Sequence, residues 1–321
     1  ALSGCDFIDG LLGKGDGNDN TGSPETVEPL ATGGQTVIQD GWEIHIFKES
    51  DSLFFSDSRT SVSADYLIVA GGGGSGGGSL MVNGNGGGGG GAGGLLYRTE
   101  QTLQLADGSV AVTVGQGGAG GELNKQGGDG GGSAIGNSIT VPGGGGGGGA
   151  IINTAANHSD MDGRTGGSGG GGGGGSGSNK GLSGAGKTVT KGNTGNIPGD
   201  MLGYAGGQGS AGNSTPTNLG DGGAGGGGAG GAGENGRAGK DGGALGGAPW
   251  TATAEEGAAW IQAATGTNEF SRSGNGGGYD AATPGVSYGD GGSGTFTEPG
   301  TAGHSGIVVI RFQRPADTES E

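Results

Sequence analysis

The chain has 321 residues, of which 96 are glycine and 9 are proline. Collagen is excluded, because it requires a strict Gly-X-Y period with abundant proline, whereas residues 143–149 are consecutive glycines. The net charge of −17 disfavours nucleic-acid binding, because an acidic chain repels phosphate groups. The single cysteine, Cys5, excludes an internal disulfide framework and a cysteine-based structural zinc site.

The apolar content argues against one conventional hydrophobic core. Hydrophobic residues make up 29% of the chain, too few to fill a core of this length. Low hydrophobicity with high net charge is typical of disorder, but only 14% of the residues are charged and strand patterns bracket the glycine-rich region. No apolar run approaches the roughly 20 residues that span a bilayer, so no membrane insertion is predicted.

Residues 1–34 are predicted to be an N-terminal anchor and linker. The side chains of Phe7, Ile8, Leu11 and Leu12 make a short apolar patch, which a polar stretch rich in glycine and proline follows. An apolar peptide on a loose linker is suited to docking on a partner. The alternative is a frayed terminus.

A calcium-like spacing within this segment is interpreted as a solvated acidic turn. Asp16, Asn18 and Asn20 have the alternate spacing of a calcium loop. The loop also requires glycine at its sixth position and glutamate at its twelfth, where this chain has Thr21 and Val27.

Two further ligand-like patterns are also rejected. Residues 181–188 fit the phosphate-binding pattern G-x-x-x-x-G-K-[ST], but no buried strand precedes them and no helix-forming segment follows. His158, Asp160 and Asp162 are interpreted as a polar loop in preference to a metal cluster. Because no nucleophile–base pair or paired carboxylates stand out either, the chain is predicted to be no enzyme and to use no cofactor or metal.

Residues 35–70 are predicted to be β-structure that leads into the glycine-rich body. Residues 42–47 alternate between the two faces of a strand, and residues 53–55 form a second apolar run. Residues 66–70 are continuously apolar, as in a strand that is buried on both faces. His45 is predicted to be a partly exposed strand histidine rather than a ligand.

Residues 71–306 are predicted to be the glycine-rich body, with polar inserts. Within them, residues 102–105 and 109–114 flank a hairpin-turn signal at residues 106–108. Residues 307–314 read as a closing strand, and residues 315–321 as an acidic tail. Pairing of the closing strand with residues 42–70 would bury the apolar side chains of both and clamp the body.

The glycine runs, such as residues 71–94, are predicted to pack as extended polyglycine-II helices. Such a helix has three residues per turn and no internal hydrogen bonds, so each backbone group needs a partner in a neighbouring run. Only glycine lets the runs approach closely. The predicted fold is mainly β and irregular, a polyglycine-II sandwich clamped by short antiparallel strands from both chain ends. The small substitutions are expected at outward-facing positions: Ala92, Ala119, Ser168, Ala224 and Ala229.

Three sequence features resemble the glycine-rich domains of phage tail-fibre and receptor-binding proteins. Residues 66–70 and the glycines that follow resemble the opening of these domains. A second hallmark of the family resembles residues 110–121, VAVTVGQGGAGG, and its closing strand resembles residues 303–312, GHSGIVVIRF. Their order is that of the family over residues 41–312. The resemblance implies a polyglycine-II sandwich that displays variable loops at its edges.

The resemblance implies a non-enzymatic phage virion appendage protein: a component of a tail fibre, spike or head fibre. Residues 1–34 would bind other virion proteins, and the displayed loops would bind a host cell-surface glycan or protein. The expected location is the virion exterior, after synthesis in the host cytoplasm; the start at Ala1 is interpreted as loss of an initiator Met. The alternatives are a virion decoration protein without an adhesin role and a secreted or cell-surface structural protein of a microbe. A homo-oligomer is an open alternative to a single chain.

The longest insert, residues 248–273, is the predicted display element. Thr253 and Glu256 make a capping-box pattern, which predicts a short helix through Ile261. Exposed aromatic side chains often anchor binding surfaces and also stack on sugars, whereas the alternative is a small satellite core. The predicted receptor-binding residues are Trp250, Trp260, Phe270, Tyr279 and Tyr288.

Overall fold

The computed structural model describes residues 28–80, 85–150, 158–175, 203, 223–236, 245–255, 257–277, 285 and 287–315. Several predictions of the sequence analysis lie outside the described residues: Phe7, Ile8, Leu11 and Leu12 of the anchor, the calcium-like turn from Asp16, residues 181–188, Tyr279 and residues 316–321 of the acidic tail.

The described residues are mainly β-structure with one short α-helix. The strands are β1 (Ala31–Thr32), β2 (Gln35–Gln39), β3 (Trp42–Phe47), β4 (Asp51–Phe55), β5 (Ser61–Val69), β6 (Leu95–Gln104), β7 (Ser109–Thr113), β8 (Ser133–Ile135), β9 (Ile139–Val141), β10 (Trp250–Thr251), β11 (Glu269–Phe270) and β12 (Ile307–Gln313). A 3-10 turn covers His158–Met161, and helix α1 covers Ala259–Thr265. The strands form three antiparallel sheets, with the orders β1-β4-β7-β8-β9, β2-β3-β12-β5-β6 and β10-β11.

The closing strand β12 lies between β3 and β5, which confirms the predicted pairing. Val309 stands opposite Ile46 of β3 on one side and opposite Leu67 of β5 on the other. Residues 67–70 are completely buried, as their continuous apolar run predicts. The strand that ends the body therefore completes the sheet from which the first glycine run departs.

The central sheet, β2-β3-β12-β5-β6, is covered on both faces. Alternate side chains of a strand point to opposite faces, so each strand supplies two cores. Phe47, Ile68 and Val308 pack against the other five-stranded sheet in the first core. Leu67 and Val309 pack beneath the insert in the second core.

The glycine runs form a hydrogen-bonded body with a period of three residues. In residues 70–78, three consecutive amides donate hydrogen bonds to three different runs. Amides that are three positions apart donate to the same run. Ala70, Gly73 and Gly76 donate to the carbonyls of Gly94, Gly91 and Gly88. Gly71, Gly74 and Gly77 donate to those of Gly131, Gly128 and Lys125, and Gly72, Ser75 and Gly78 to those of His304, Thr301 and Glu298.

The carbonyls of the same run accept bonds with the same period. Those of Gly72, Ser75 and Gly78 accept from Gly118, Gly121 and Asn124, and those of Gly71, Gly74 and Gly77 accept from Gly144, Gly147 and Ala150. The carbonyl of Gly73 accepts from Gly292. Residues 70–78 are therefore bonded to six surrounding segments, which supply a partner for every amide and for most carbonyls of this buried run.

Close approach requires glycine inside this body. A Cβ atom on Gly73 would lie 2.3 Å from the carbonyl oxygen of Gly145. The predicted outward position of the small substitutions is wrong for four of the five: Ala92, Ser168, Ala224 and Ala229 are buried, and only Ala119 is exposed. Some inner positions thus accept one methyl group; that of Ala229 packs in the second core.

The turn at residues 106–108 forms, but the strands beside it do not pair as a hairpin. Ala106 and Ser109 exchange two backbone hydrogen bonds, of 2.8 and 2.9 Å. Strand β6 then pairs with β5, and β7 pairs with β4 and β8 in the other sheet. The chain changes sheets here because Leu103 and Val110 both reach the core between the two sheets.

Two predicted boundaries move. Ala31 is buried and β1 pairs with β4, so the folded body begins before the predicted linker ends at residue 34. Helix α1 begins after Ala258 and not near Thr253, so the predicted start of the helix is wrong. The reason is a turn before the helix, in which the Ala258 amide donates to the Thr253 carbonyl. Glu256, the other residue of the predicted capping box, lies outside the described residues. The helix ends at Gly266, whose left-handed φ of 78° suits glycine.

Candidate functional site

Four of the five predicted receptor-binding aromatics lie in one row under and beside the insert. The ring centroids of Trp250 and Phe270 are 6.1 Å apart, and those of Phe270 and Tyr288 are 6.4 Å apart. Tyr97 of β6 extends the row, with its centroid 5.8 Å from that of Trp250 and its hydroxyl 3.4 Å from Nε1 of Trp260. The fold therefore brings these four aromatic residues together.

Burial corrects the expected surface role of two of them. Phe270 is completely buried and Trp250 is 8% exposed, because the outer face of the central sheet needs an apolar cover. Both belong to the second core, which is the satellite-core alternative. Trp260 and Tyr288 are partly buried at its edge, and receptor binding by them stays a prediction.

A stack of three side chains closes the insert against the sheet. The Cζ atom of Arg311 lies 4.3 Å from the ring centroid of Trp42 and 4.3 Å from that of Trp260. Its Nε and Nη2 lie 2.8 and 2.7 Å from Oδ2 of Asp65. The other oxygen of Asp65 accepts the Glu100 amide at 2.8 Å, so the guanidinium and both indoles are held in place.

Beyond this stack, the central sheet opens into a groove, here called the Trp42 groove. Strand β12 pairs with β5 only as far as Arg311, opposite Asp65, although its pairing with β3 continues to Gln313. Residues 61–64 of β5 consequently have no described strand on that side. The groove has a volume of about 520 Å³ and is lined by Trp42, Arg59, Ser61, Val62, Ser63, Ala64, Asp65, Glu100 and Gln313.

The Trp42 groove is polar, with one aromatic wall. Ser61, Ser63, Glu100 and Gln313 are exposed. Arg59 lines the groove but is already paired, because its Nη2 lies 2.5 Å from Oδ2 of Asp57. This hydrogen bond holds the pKa of Asp57 below and that of Arg59 above the ordinary values. The described lining residues offer hydroxyl, amide and carboxylate groups for hydrogen bonding, and none of them is a histidine or a cysteine.

A buried polar cluster lies on the opposite face of β3. His45 is completely buried, so its predicted partial exposure is wrong. Its Nδ1 lies 2.7 Å from the Gly33 carbonyl oxygen and its Nε2 lies 3.1 Å from Oε1 of Glu43. The ring also stacks on Phe312, with 5.7 Å between centroids. The residues before β2 cover this face, which is why an alternating strand pattern could not reveal the burial.

Glu43 binds both ends of the folded body. Its carboxylate accepts the amide of Leu30 at 2.8 Å and that of Ala31 at 2.9 Å, and it also binds Nη1 of Arg314. The only sequence signal for this site is Glu43 and His45 two residues apart, and therefore on one face of a strand.

The histidine–aspartate loop contributes a salt bridge. Oδ2 of Asp160 lies 3.1 Å from Nζ of Lys125. Within the described ranges, no group of three or more His, Cys, Asp or Glu side chains could hold a metal ion. The one helix in the described part of the chain is too short to cross a membrane.

A search among curated proteins finds no match to this chain. The family model described as a glycine-rich domain matches residues 52–313, which run from within β4 to the last residue of β12. The matched range contains the glycine runs and the strands from β5 to β12, whereas β1, β2 and β3 lie before it. Because the match covers most of the chain, the protein belongs to the glycine-rich domain family.

Proposed function

We propose that this protein is a non-enzymatic component of a phage virion appendage, a tail fibre, spike or head fibre, whose rigid glycine-rich body displays surfaces for attachment to the host. The observation that carries the proposal is the bonding of residues 70–78 to six surrounding segments. A body held in this way is a stiff spacer without a large apolar core. The resemblance to phage receptor-binding proteins supplies the biological setting.

The proposal includes polyglycine-II packing of the runs. A helix with three residues per turn directs successive amides in three directions, and every third amide in the same direction. Such a helix accounts for the observed period, in which Ala70, Gly73 and Gly76 all donate to residues 88–94. Close contacts such as that between Gly73 and Gly145 are also expected of polyglycine-II, because no Cβ atoms separate the helices.

The positions of the first and last segments of the described body support a single attachment to the virion. Leu30 and Arg314 both bind Glu43, next to the end of β3 at which Trp42 pairs with Gln313. The first glycine run leaves the other end of the sheet, at Val69, about 20 Å away at roughly 3.3 Å per residue. An anchor in the residues before Leu30 would thus bind other virion proteins at the end of the sheet opposite the glycine array.

Hydrogen exchange tests the architecture. The amides of residues 71–78 are expected to exchange slowly because these residues are buried and each amide donates to a carbonyl of another segment. Gly41, in the exposed turn between β2 and β3, provides the fast reference. Exchange as fast in the run as at Gly41 would contradict a hydrogen-bonded body.

The biological proposal is tested on virions. The protein should copurify with virions in a fixed copy number, and virions that lack it should adsorb to host cells less well. Normal adsorption would leave only the decoration alternative. Absence from virions together with export from a microbial cell would favour the secreted or cell-surface alternative, and measured turnover of a substrate would overturn the non-enzymatic assignment.

A further inference from the structure

We infer that the Trp42 groove binds a neutral oligosaccharide. The inference rests on the attachment role proposed above for its biological meaning, although sugar binding can be measured without a virion. The groove contains none of the predicted receptor-binding residues of the insert. It opens on the face of the central sheet that carries the insert, because Trp42 lies on the same side of β3 as Ile44 of the second core.

The groove is built into the sheet rather than being a gap between loops. Strand β12 stops pairing with β5 at Asp65, and the strand residues 61–64 border the opening. The side chains of Val62 and Ala64 belong to the first core, so these residues offer main-chain atoms to the groove. A volume of about 520 Å³ lies within the range of roughly 300–1,000 Å³ that is usual for ligand sites.

Trp42 supplies an ordered apolar wall. Arg311 covers one face of its ring, and Asp65 fixes that guanidinium because its Oδ2 accepts a hydrogen bond from Nε and forms an ion pair with Nη2. Ordering of the indole before binding reduces the entropy that a ligand must overcome. The C–H face of a pyranose ring is apolar and can pack on such a wall, while its hydroxyls reach Ser61 and Ser63.

The charges select a neutral ligand. The two arginines nearest the groove are already paired: Arg59 with Asp57, and Arg311 with Asp65. Glu100 leaves an exposed carboxylate in the lining, and the whole chain carries a net charge of −17. Sialylated, sulfated or phosphorylated ligands would be repelled, whereas hydroxyl groups can both donate to Glu100 and accept from the serines.

A sugar fits the free strand edge better than a peptide strand does. Residues 61–64 extend over only about 13 Å, which limits a docked strand to a few backbone hydrogen bonds. The exposed groups around them are hydroxyl, amide and carboxylate. These groups complement the hydroxyls of a sugar at several points.

The experiment uses the full chain on an array of immobilised oligosaccharides, with neutral, sialylated and sulfated members. We expect binding to at least one neutral member and none to the anionic members. Ser63→Tyr, which fills the groove from an exposed strand position, should weaken that binding at least tenfold. Thr140→Tyr, at an exposed position of β9, is the matched control and should bind as the unmodified protein does. Urea unfolding of both variants verifies that they are folded.

Three results would overturn the inference: no neutral member bound, equal binding by the Ser63→Tyr variant, or capture of immobilised unstructured peptides instead of sugars. The proposed function fails separately. If the purified protein blocks phage adsorption and the Ser63→Tyr variant blocks it equally well, the proposed attachment role is supported, but the Trp42 groove does not mediate it. If the array result holds but virions without the protein adsorb normally, the groove stands and the attachment role fails.

Discussion

Nη1 of Arg314 lies 2.5 Å from Oε2 of Glu43, although the two residues are 271 positions apart in the chain. The same oxygen accepts the amide of Leu30, and the other oxygen accepts that of Ala31. One completely buried carboxylate therefore connects the beginning of the folded body, strand β3 and the end of the closing strand.

Replacement of Glu43 by glutamine should lower the free energy of unfolding by about 3 kcal/mol, because it leaves the Arg314 cation without its buried counter-charge. The amide group of glutamine would also face the amides of Leu30 and Ala31. Urea denaturation measures the change. Glu122→Gln, at an exposed carboxylate, is the control and should stay within about 0.5 kcal/mol of the unmodified protein. Equal effects of the two variants would mean that the buried cluster contributes little to stability.

Gly73→Ala should destabilise the body by about 3 kcal/mol or more, because its Cβ would lie 2.3 Å from the Gly145 oxygen and the backbone would have to move. Gly231→Ala is the matched control, since its nearest contact, with the Ala248 nitrogen, is 3.6 Å. That variant should be neutral or more stable by about 0.4–1 kcal/mol, because alanine restricts the unfolded chain. Thermal unfolding of both measures the difference. A Gly73→Ala variant as stable as the control would argue against close packing of the runs.

Phe270→Ala should lower the free energy of unfolding by about 3–5 kcal/mol, because this completely buried ring helps to hold the insert on the central sheet. Phe54→Ala provides the comparison, since Phe54 is 45% exposed and should cost much less. Urea unfolding gives both values. If Phe270→Ala is fully stable but loses host binding, the receptor-binding interpretation of this residue would be restored.

Tyr66→Phe should extend stability towards alkaline pH. Burial raises the pKa of the Tyr66 phenol, so the folded state retains the proton more strongly than the unfolded state does. The resulting contribution to stability is fully present below the unfolded pKa of about 10 and is lost as the pH rises through the folded pKa. Unfolding in urea at a series of pH values from 8 to 11 should give a shallower decline for the variant. Identical declines would show that Tyr66 does not contribute.

Several elements were predictable because their signals are local. The alternation in residues 42–47 and the continuous apolar run at 66–70 identify β3 and most of the buried part of β5. The apolar residues 307–312 identify β12, and the need to bury three such segments predicts their pairing. The aromatic residues of the insert were identified as a group, but their burial depends on the sheet face beneath them.

Residue types alone indicate that glycine runs, which lack Cβ atoms, can approach closely, and that the apolar strands at both ends of the body need burial. These properties follow from residue type and from periods of two or three residues. The folded structure is needed to show which runs are neighbours and that His45 is enclosed beside Glu43. It is also needed to show that β12 stops pairing with β5 at Asp65, which leaves the Trp42 groove. Each of these features depends on contacts between segments that are far apart in the chain. Patterns among residues that are adjacent in sequence do not predict such contacts.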